Sequence, residues 1–266
     1  MKAADVSATD RADLALSCDR LLGGRVRLLQ PTRGYRVAID PVLLAAATPA
    51  GEGDLVLDAG CGTGAAALAL AARVSGCRIV GLEIAPELAR IARENVRLNG
   101  YSARIEIREG DLAAPPADLR TAHFDLVMTN PPYMPPGRGT PPATHAAASI
   151  ETLPLEAWIR ACLRLLRPRG WLVLIHRTGR LAEVLASLSA GCGDVHVFPF
   201  WPGAASVEAK RFVVAARKGS GGESHLLRGL VLHDREGGYT PEAEAVLRGG
   251  EALELVLRLR GAQAGG

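Results

Sequence analysis

Two short segments carry residue types whose order and spacing can do chemistry. The first, Asp58-Ala59-Gly60-Cys61-Gly62-Thr63-Gly64, sets three glycines at alternate positions after the apolar pair Val56-Leu57. Glycine lets the chain turn sharply there and brings the backbone up to a ligand with no Cβ between. The spacing is not the GxGxxG of dinucleotide sites, and no lysine follows as in a phosphate-binding loop. The helix N-terminus behind it is therefore suited to a carboxylate rather than a pyrophosphate. Two acids extend the pattern. Glu83 closes Ile79-Val80-Gly81-Leu82-Glu83, about 20 residues beyond the glycines, where a carboxylate accepts both hydroxyl protons of a ribose. Asp111, in Gly110-Asp111-Leu112, can accept from an adenine amino group. With the adjoining Ile84 and Leu112, these residues form a candidate pocket for an adenosine-bearing ligand. Cys61 reads as a small loop residue rather than a nucleophile.

The second segment is Asn130-Pro131-Pro132-Tyr133, which follows the run Asp125-Leu126-Val127-Met128-Thr129 directly. Its two prolines remove backbone donors and stiffen the loop while leaving carbonyls free to accept. An amino nitrogen attacks an electrophile best when its hydrogens are held and its lone pair is aimed. The Asn130 side-chain oxygen and the Pro131 carbonyl can hold those hydrogens, and Asn130 also borders the ligand pocket. No strong base is needed, because the proton becomes acidic as the new bond forms; orientation carries the catalysis. Tyr133 offers a flat face for a planar base or amide.

The surrounding pattern supplies elements to position these loops. Strand-like runs at 55–58, 78–83, 104–108, 124–129 and 171–176 alternate with helical stretches around 64–74, 86–99, 155–166 and 180–189. Such alternation predicts an α/β fold with a mostly parallel sheet covered by helices on both faces. Pro86 at a first helical turn and Gly100 beyond a last one fit helix start and stop chemistry. Two further strands, 195–200 and 210–217, are joined through Trp201, Pro202 and Gly203; as a C-terminal antiparallel hairpin they bring the sheet to seven strands.

Residues 1–50 read as an N-terminal extension, 51–218 as the core, and 219–266 as a C-terminal elaboration of the same domain. The last begins with Gly219-Ser220-Gly221-Gly222, then a strand-like 226–233, then Gly237-Gly238-Tyr239-Thr240-Pro241 opening a short helix.

Asp58–Gly64, Glu83, Asp111 and Asn130–Tyr133 together resemble the class I methyltransferases of the NPPY amino-methylating type, with a Rossmann-like fold. The resemblance implies S-adenosyl-L-methionine as cofactor, bound by the glycine loop, Glu83 and Asp111, with Asn130, Pro131, Pro132 and Tyr133 holding the target nitrogen. The segment from Gln30 through Gly34-Tyr35 and Ile39-Asp40-Pro41 to Leu44 resembles that of the tRNA(Val) adenine-N6 methyltransferases, and so does the tail from Leu232 to Glu242. That family implies tRNA as partner, with adenine N6 near the anticodon as target. Asp40 itself reads first as a helix N-cap ahead of Pro41. Guanine-N2 methylation of ribosomal RNA and glutamine methylation of release factors are the alternatives. A release-factor enzyme carries a helical N-terminal domain longer than the ~50 residues here, and DNA adenine enzymes add a target-recognition region that shows no counterpart. A non-catalytic RNA- or cofactor-binding module is the rival of another class; it predicts decay of the reaction loop, which is intact.

Composition narrows the setting. Lysine plus arginine exceed aspartate plus glutamate by 31 − 28 = 3, a mild excess that neither demands nor excludes a polyanion. Five arginines fall in residues 20–40, and Arg160, Arg164, Arg167, Arg169, Arg177 and Arg180 in 156–180; two basic patches flanking a pocket suit RNA phosphates, though solvated helix faces explain either alone. Five cysteines form no CxxC pair and no zinc spacing, so neither a metal nor a disulfide framework is expected. With no apolar run of membrane-spanning length and no signal-peptide pattern in residues 1–19, the expectation is a cytoplasmic protein. His145 reads as an exposed loop residue, His176 as a local hydrogen-bonding group, Trp158 and Trp171 as packing residues, and Trp201 as an RNA contact or an edge cover.

Overall fold

The computed structural model describes residues 15–33, 36–121, 123–133 and 153–264; Gly34, Tyr35 and His145 lie outside them. It opens with an antiparallel hairpin, β1 (Leu16–Leu21) and β2 (Val26–Pro31), followed by helix α1 (Asp40–Ala47). The core then alternates β3 (Leu55–Ala59), α2 (Ala65–Arg73), β4 (Arg78–Glu83), α3 (Pro86–Leu98), β5 (Ile105–Glu109), α4 (Ala117–Thr121), β6 (Phe124–Thr129), α5 (Leu155–Leu165), β7 (Leu166–Arg177) and α6 (Leu181–Ser189). The antiparallel strands β8 (Cys192–Gly203) and β9 (Arg211–Lys218) follow. Short β10 (Ser224–Leu226) and β11 (Leu230–His233), then helices α7 (Pro241–Leu247) and α8 (Glu254–Ala264), complete the described chain.

The main sheet runs β10-β8-β9-β7-β6-β3-β4-β5, with β11 also on β8. Seven strands make the expected core, parallel except for β9, which runs against its neighbours β7 and β8. The sheet has nine strands because the single strand read over 226–233 splits at Gly229 into β10 and β11, which pair one after the other along β8. A Cβ at Gly229 would lie 2.0 Å from the Pro199 carbonyl oxygen, so only glycine lets the crossing chain pass there. Trp201 donates its Nε1–H to the Arg228 carbonyl at 3.1 Å: it covers this edge.

Alternate residues of each strand face opposite layers, as a pleated sheet requires. Val56, Leu126, Met128, Val173 and Ile175 pack with α1, α2, α3, α7 and α8; Leu57, Val127, Leu172, Leu174 and Val214 pack with α4, α5 and α6. The strands are nearly continuous apolar runs because both faces are covered. The strand order reverses at β3, with β4 and β5 on one side and β6 and β7 on the other, so the crevice beyond the carboxyl ends of β3 and β6 is where an open α/β sheet takes its ligand.

The hairpin is fastened by two asparagines. Asn95 accepts from Leu29 N–H at 2.7 Å and donates to the Leu29 carbonyl at 2.8 Å. Asn99 does the same for Arg27, at 2.9 and 2.7 Å. Four residues of helix rise about 6 Å and two residues of strand about 6.6 Å, so the amides act as a neighbouring strand for β2. Asn95, fully buried, also donates to the Thr63 carbonyl at 3.0 Å, linking the hairpin to the glycine loop.

Two helices escape the sequence reading. α4 is short, and α8 hides behind Leu253, Leu255, Leu257 and Leu259, an alternation of period two. Its helical packing shows in burial: Leu255, Val256 and Leu259 are buried while Leu257 is 72% exposed.

Candidate functional site

The glycine loop leaves the carboxyl end of β3, and the reaction loop leaves that of β6, which pairs with it from Val56↔Leu126 to Ala59↔Thr129. The Thr129 hydroxyl donates to the Ala59 carbonyl at 2.8 Å and accepts from Trp158 Nε1–H at 2.9 Å. Trp158 of α5 therefore clamps both loop bases, beyond the packing role read for it. Its ring also explains Gly60, which has φ +73°: a Cβ there would stand 2.9 Å from the indole. Gly62 and Gly64 have φ +55° and +85°, so the loop needs the left-handed conformation at all three glycines.

The acids surround this loop from beneath. Glu83 is buried, with Oε2 accepting Gly62 N–H at 2.8 Å and Oε1 accepting Ala85 N–H at 2.9 Å. Burial pushes its pKa up, against the pull of those bonds. Asp58, fully desolvated, is pushed up to about 7 by burial and secondarily by the neighbouring Glu83, although Ala67 N–H in the first turn of α2 donates to it at 3.2 Å. Two desolvated carboxylates at adjacent strand ends favour a cationic ligand. The Thr63 hydroxyl is buried without a hydrogen-bond partner. Asp111 is exposed, its Oδ1 taking Ala113 N–H at 2.8 Å, beside the buried Leu112; Ile84 is 56% exposed. Cys61 packs against Gly81, where a Cβ would stand 2.8 Å from its sulfur, and burial raises its thiol well above the ordinary value, so it is no nucleophile.

Around the reaction loop the fold assembles residues from three distant places. The Tyr133 hydroxyl lies 2.6 Å from Asn130 Oδ1 and 2.7 Å from Asp40 Oδ2. Asp40 is buried, and its Oδ1 pairs with Arg211 Nε at 2.5 Å. This corrects the capping role read for Asp40: α1 starts at Asp40 itself, its N-cap is Ile39, and no side chain caps it. The carboxylate turns inward to the loop instead. Tyr133 also meets His176 edge-on (centroids 5.2 Å, planes at 87°), and the Arg177 guanidinium sits 5.0 Å above its ring. His176 is buried, accepts Arg177 N–H at 2.8 Å on Nδ1, and is pushed down to about 4 by burial and then by Arg180, so it stays neutral.

Several arginines of the two sequence clusters have partners within the fold. Arg25 and Arg27 donate to the carbonyls of Gly249 and Leu98, and Arg36 pairs with Asp19. Arg160, Arg167 and Arg180 pair with Glu156, Asp125 and Glu183. β7 carries Arg167 and Arg169 ahead of Trp171 and Arg177 at its end, and the six regular steps from Trp171 to Arg177 alone span roughly 20 Å at ~3.3 Å per residue. Among the described residues Arg177 lies over Tyr133 of the reaction loop, and Arg211, its partner across β7 and β9, pairs with Asp40 beside it. Among the described residues Asp194, His196 and His225 come near enough to share a metal ion. The two rings are stacked at 4.6 Å with planes 23° apart, however, so their in-plane lone pairs run side by side instead of converging.

Known proteins resemble this chain in sequence and in fold. A methyltransferase domain model covers residues 56–170, from the glycine loop through the reaction loop. A tRNA1(Val) (adenine(37)-N6)-methyltransferase from Porphyromonas gingivalis is 34% identical over 222 residues, 78% of this chain and 85% of that protein. An Aeromonas salmonicida protein of the same description is 36% identical over 152 residues, 56% of this chain and 63% of its own. Among solved structures, a predicted O-methyltransferase from Agrobacterium tumefaciens aligns with TM-score 0.67 at 29% identity, over 80% of this chain and 97% of that one.

Proposed function

Because the chain belongs to the tRNA1(Val) (adenine(37)-N6)-methyltransferase family of S-adenosylmethionine-dependent enzymes, we propose that it methylates the exocyclic N6 of an adenine in tRNA beside the anticodon. The observation that carries this reading is the joining of the two loops: Trp158, Thr129 and the Ala59 carbonyl form one hydrogen-bonded chain between the bases of the glycine loop and of Asn130–Tyr133. A donor on the first loop and an amino group on the second then meet over the same strand ends.

The residues present fit the cofactor. S-adenosylmethionine supplies an electrophilic methyl group on a positively charged sulfur. Asp58 and Glu83, both pushed up by burial, gain from a cationic neighbour, and the orphaned Thr63 hydroxyl gains a partner. Each Glu83 oxygen uses one lone pair on the loop backbone and keeps one for a ribose hydroxyl. Asp111, beside Leu112, is open to an adenine amino group, with Ile84 on the neighbouring strand end. Gly60, Gly62 and Gly64 keep Cβ atoms out of the approach, and Cys61 fills space beneath the loop.

On the acceptor side Asn130 Oδ1 and the Pro131 carbonyl take the two amino hydrogens, Pro132 holds the loop, and the Tyr133 ring stacks on the adenine. A base stacking there displaces Arg177 if it uses the face that guanidinium covers; the exposed side chain can then turn to a phosphate. Among the described residues no helix is long and apolar enough to cross a membrane, and we place the enzyme in the cytoplasm with its tRNA. Transfer of a labelled methyl group to unmodified tRNA by the isolated chain, lost with Asn130→Ala, tests the proposal.

A further inference from the structure

We infer that Asp40 is a positioning residue that sets, through the Tyr133 hydroxyl, which atom of the Asn130 amide faces the target nitrogen. The inference deepens the proposed function and rests on it for the nature of the target.

Tyr133 has a single hydroxyl proton, and among the described residues Asp40 Oδ2 at 2.7 Å and Asn130 Oδ1 at 2.6 Å face its oxygen. The Asp40 carboxylate is ion-paired to Arg211, is buried, and can only accept. A charged acceptor makes the stronger bond, so the phenol proton goes to Asp40. The phenol oxygen and Asn130 Oδ1 would then face each other at 2.6 Å with no hydrogen between them, which is repulsive. A half-turn of the Asn130 amide exchanges its oxygen and nitrogen in almost the same volume. Nδ2–H then donates to the phenol oxygen, and Oδ1 is released toward the amino group.

The order Arg211, Asp40, Tyr133, Asn130 therefore presents an acceptor to the target. The reverse order would present an N–H donor to the nitrogen whose lone pair must attack, and would occupy that lone pair. The ring is held for this task by contacts from β7: His176 stands edge-on at 5.2 Å and Arg177 lies 5.0 Å above it. A purely structural Asp40 would need no particular proton order, and that difference can be measured.

Asp40→Asn keeps the size of the side chain but can donate to the phenol, which then donates to Asn130 Oδ1 and reverses the amide. With an unmodified valine tRNA transcript, this variant should lose about 100-fold in kcat, with KM and cofactor affinity within about threefold of wild type. Tyr133→Phe keeps the flat face, releases the amide, and should lose about tenfold. The double variant should match Tyr133→Phe, so the second substitution restores about tenfold over Asp40→Asn. An Asp40→Asn enzyme within threefold of wild type, or a double variant no better than Asp40→Asn, overturns the inference. Should Asp40→Asn fail to fold, an unchanged kcat in Tyr133→Phe overturns it as well. A readout free of substrate is neutron diffraction of the wild-type protein: deuterium on Asn130 Nδ2 facing the phenol supports the order, and deuterium between the phenol and Asn130 Oδ1 refutes it. A wild type inert on tRNA would sink the proposed substrate, and the neutron result would still decide the proton order.

Discussion

Asp58 pairs a cost in stability with its place in the site, and that cost can be titrated. Its carboxyl is fully desolvated at the end of β3 and is pushed from 3.8 to about 7. Between those values the folded chain keeps a proton that the unfolded chain has lost, so its stabilising contribution is complete below 3.8 and disappears as pH rises through about 7. From pH 5 to 8 the unfolded group ionises by a further ~3 decades and the folded group by ~1. The difference of ~2 decades, at 1.36 kcal/mol each, removes about 3 kcal/mol of stability. Asp58→Asn carries no such term. It leaves a buried amide imperfectly paired, at a cost of roughly 1–3 kcal/mol that does not vary with pH. Urea denaturation of the cofactor-free proteins at pH 5 and pH 8 cancels that constant. The wild type should lose about 3 kcal/mol more than Asp58→Asn over this interval. Equal losses in the two proteins would refute the argument that burial holds this acid against its charge.

The same acid should make cofactor binding depend on pH: S-adenosylmethionine affinity in the wild type should weaken as pH falls below about 7, by up to about tenfold per unit, and calorimetry should find a flatter profile in Asp58→Asn. Glu83→Gln puts an amide N–H against one of the two backbone donors the carboxylate now accepts, and should weaken cofactor binding by about 10–150-fold; unchanged affinity by calorimetry would remove Glu83 from the site. Gly60→Ala meets the Trp158 ring at 2.9 Å from a backbone at φ +73°, and should cost at least ~2 kcal/mol in urea denaturation; a neutral result would mean that the loop yields freely.

The parts of the molecule legible in the chain are those governed by local pattern. β4 and β6 span the residues expected of them, because each holds an apolar run, Ile79–Leu82 or Leu126–Met128, ending at a chemically marked residue, Glu83 or Thr129. Since β3, β4 and β6 run parallel, their carboxyl ends bring Gly60, Glu83 and Asn130 to one edge of the sheet. What stayed hidden depends on long-range contacts. Asp40 and Tyr133 are 93 residues apart, and Trp158 reaches Thr129 across 29. Asp40-Pro41 looks like a cap in any window that excludes Tyr133 and Arg211. Two asparagines four apart on a helix carry no signal that they pair with a strand 70 residues earlier. The arginine clusters are close in sequence, yet β7 is long enough to carry Arg169 and Arg177 toward opposite ends of one strand.

The central claim is that the loop Asn130–Tyr133 holds an adenine amino group of tRNA against a methyl donor in the glycine-loop crevice. The most direct measurement incubates the wild-type protein and Asn130→Ala with methyl-labelled S-adenosylmethionine and unmodified tRNA, then digests the RNA and identifies the labelled nucleoside by mass spectrometry. The account predicts label in N6-methyladenosine alone, with transfer by Asn130→Ala reduced about 100-fold or more while cofactor binding persists. Label in a guanine or in protein, or full transfer by Asn130→Ala, would contradict it.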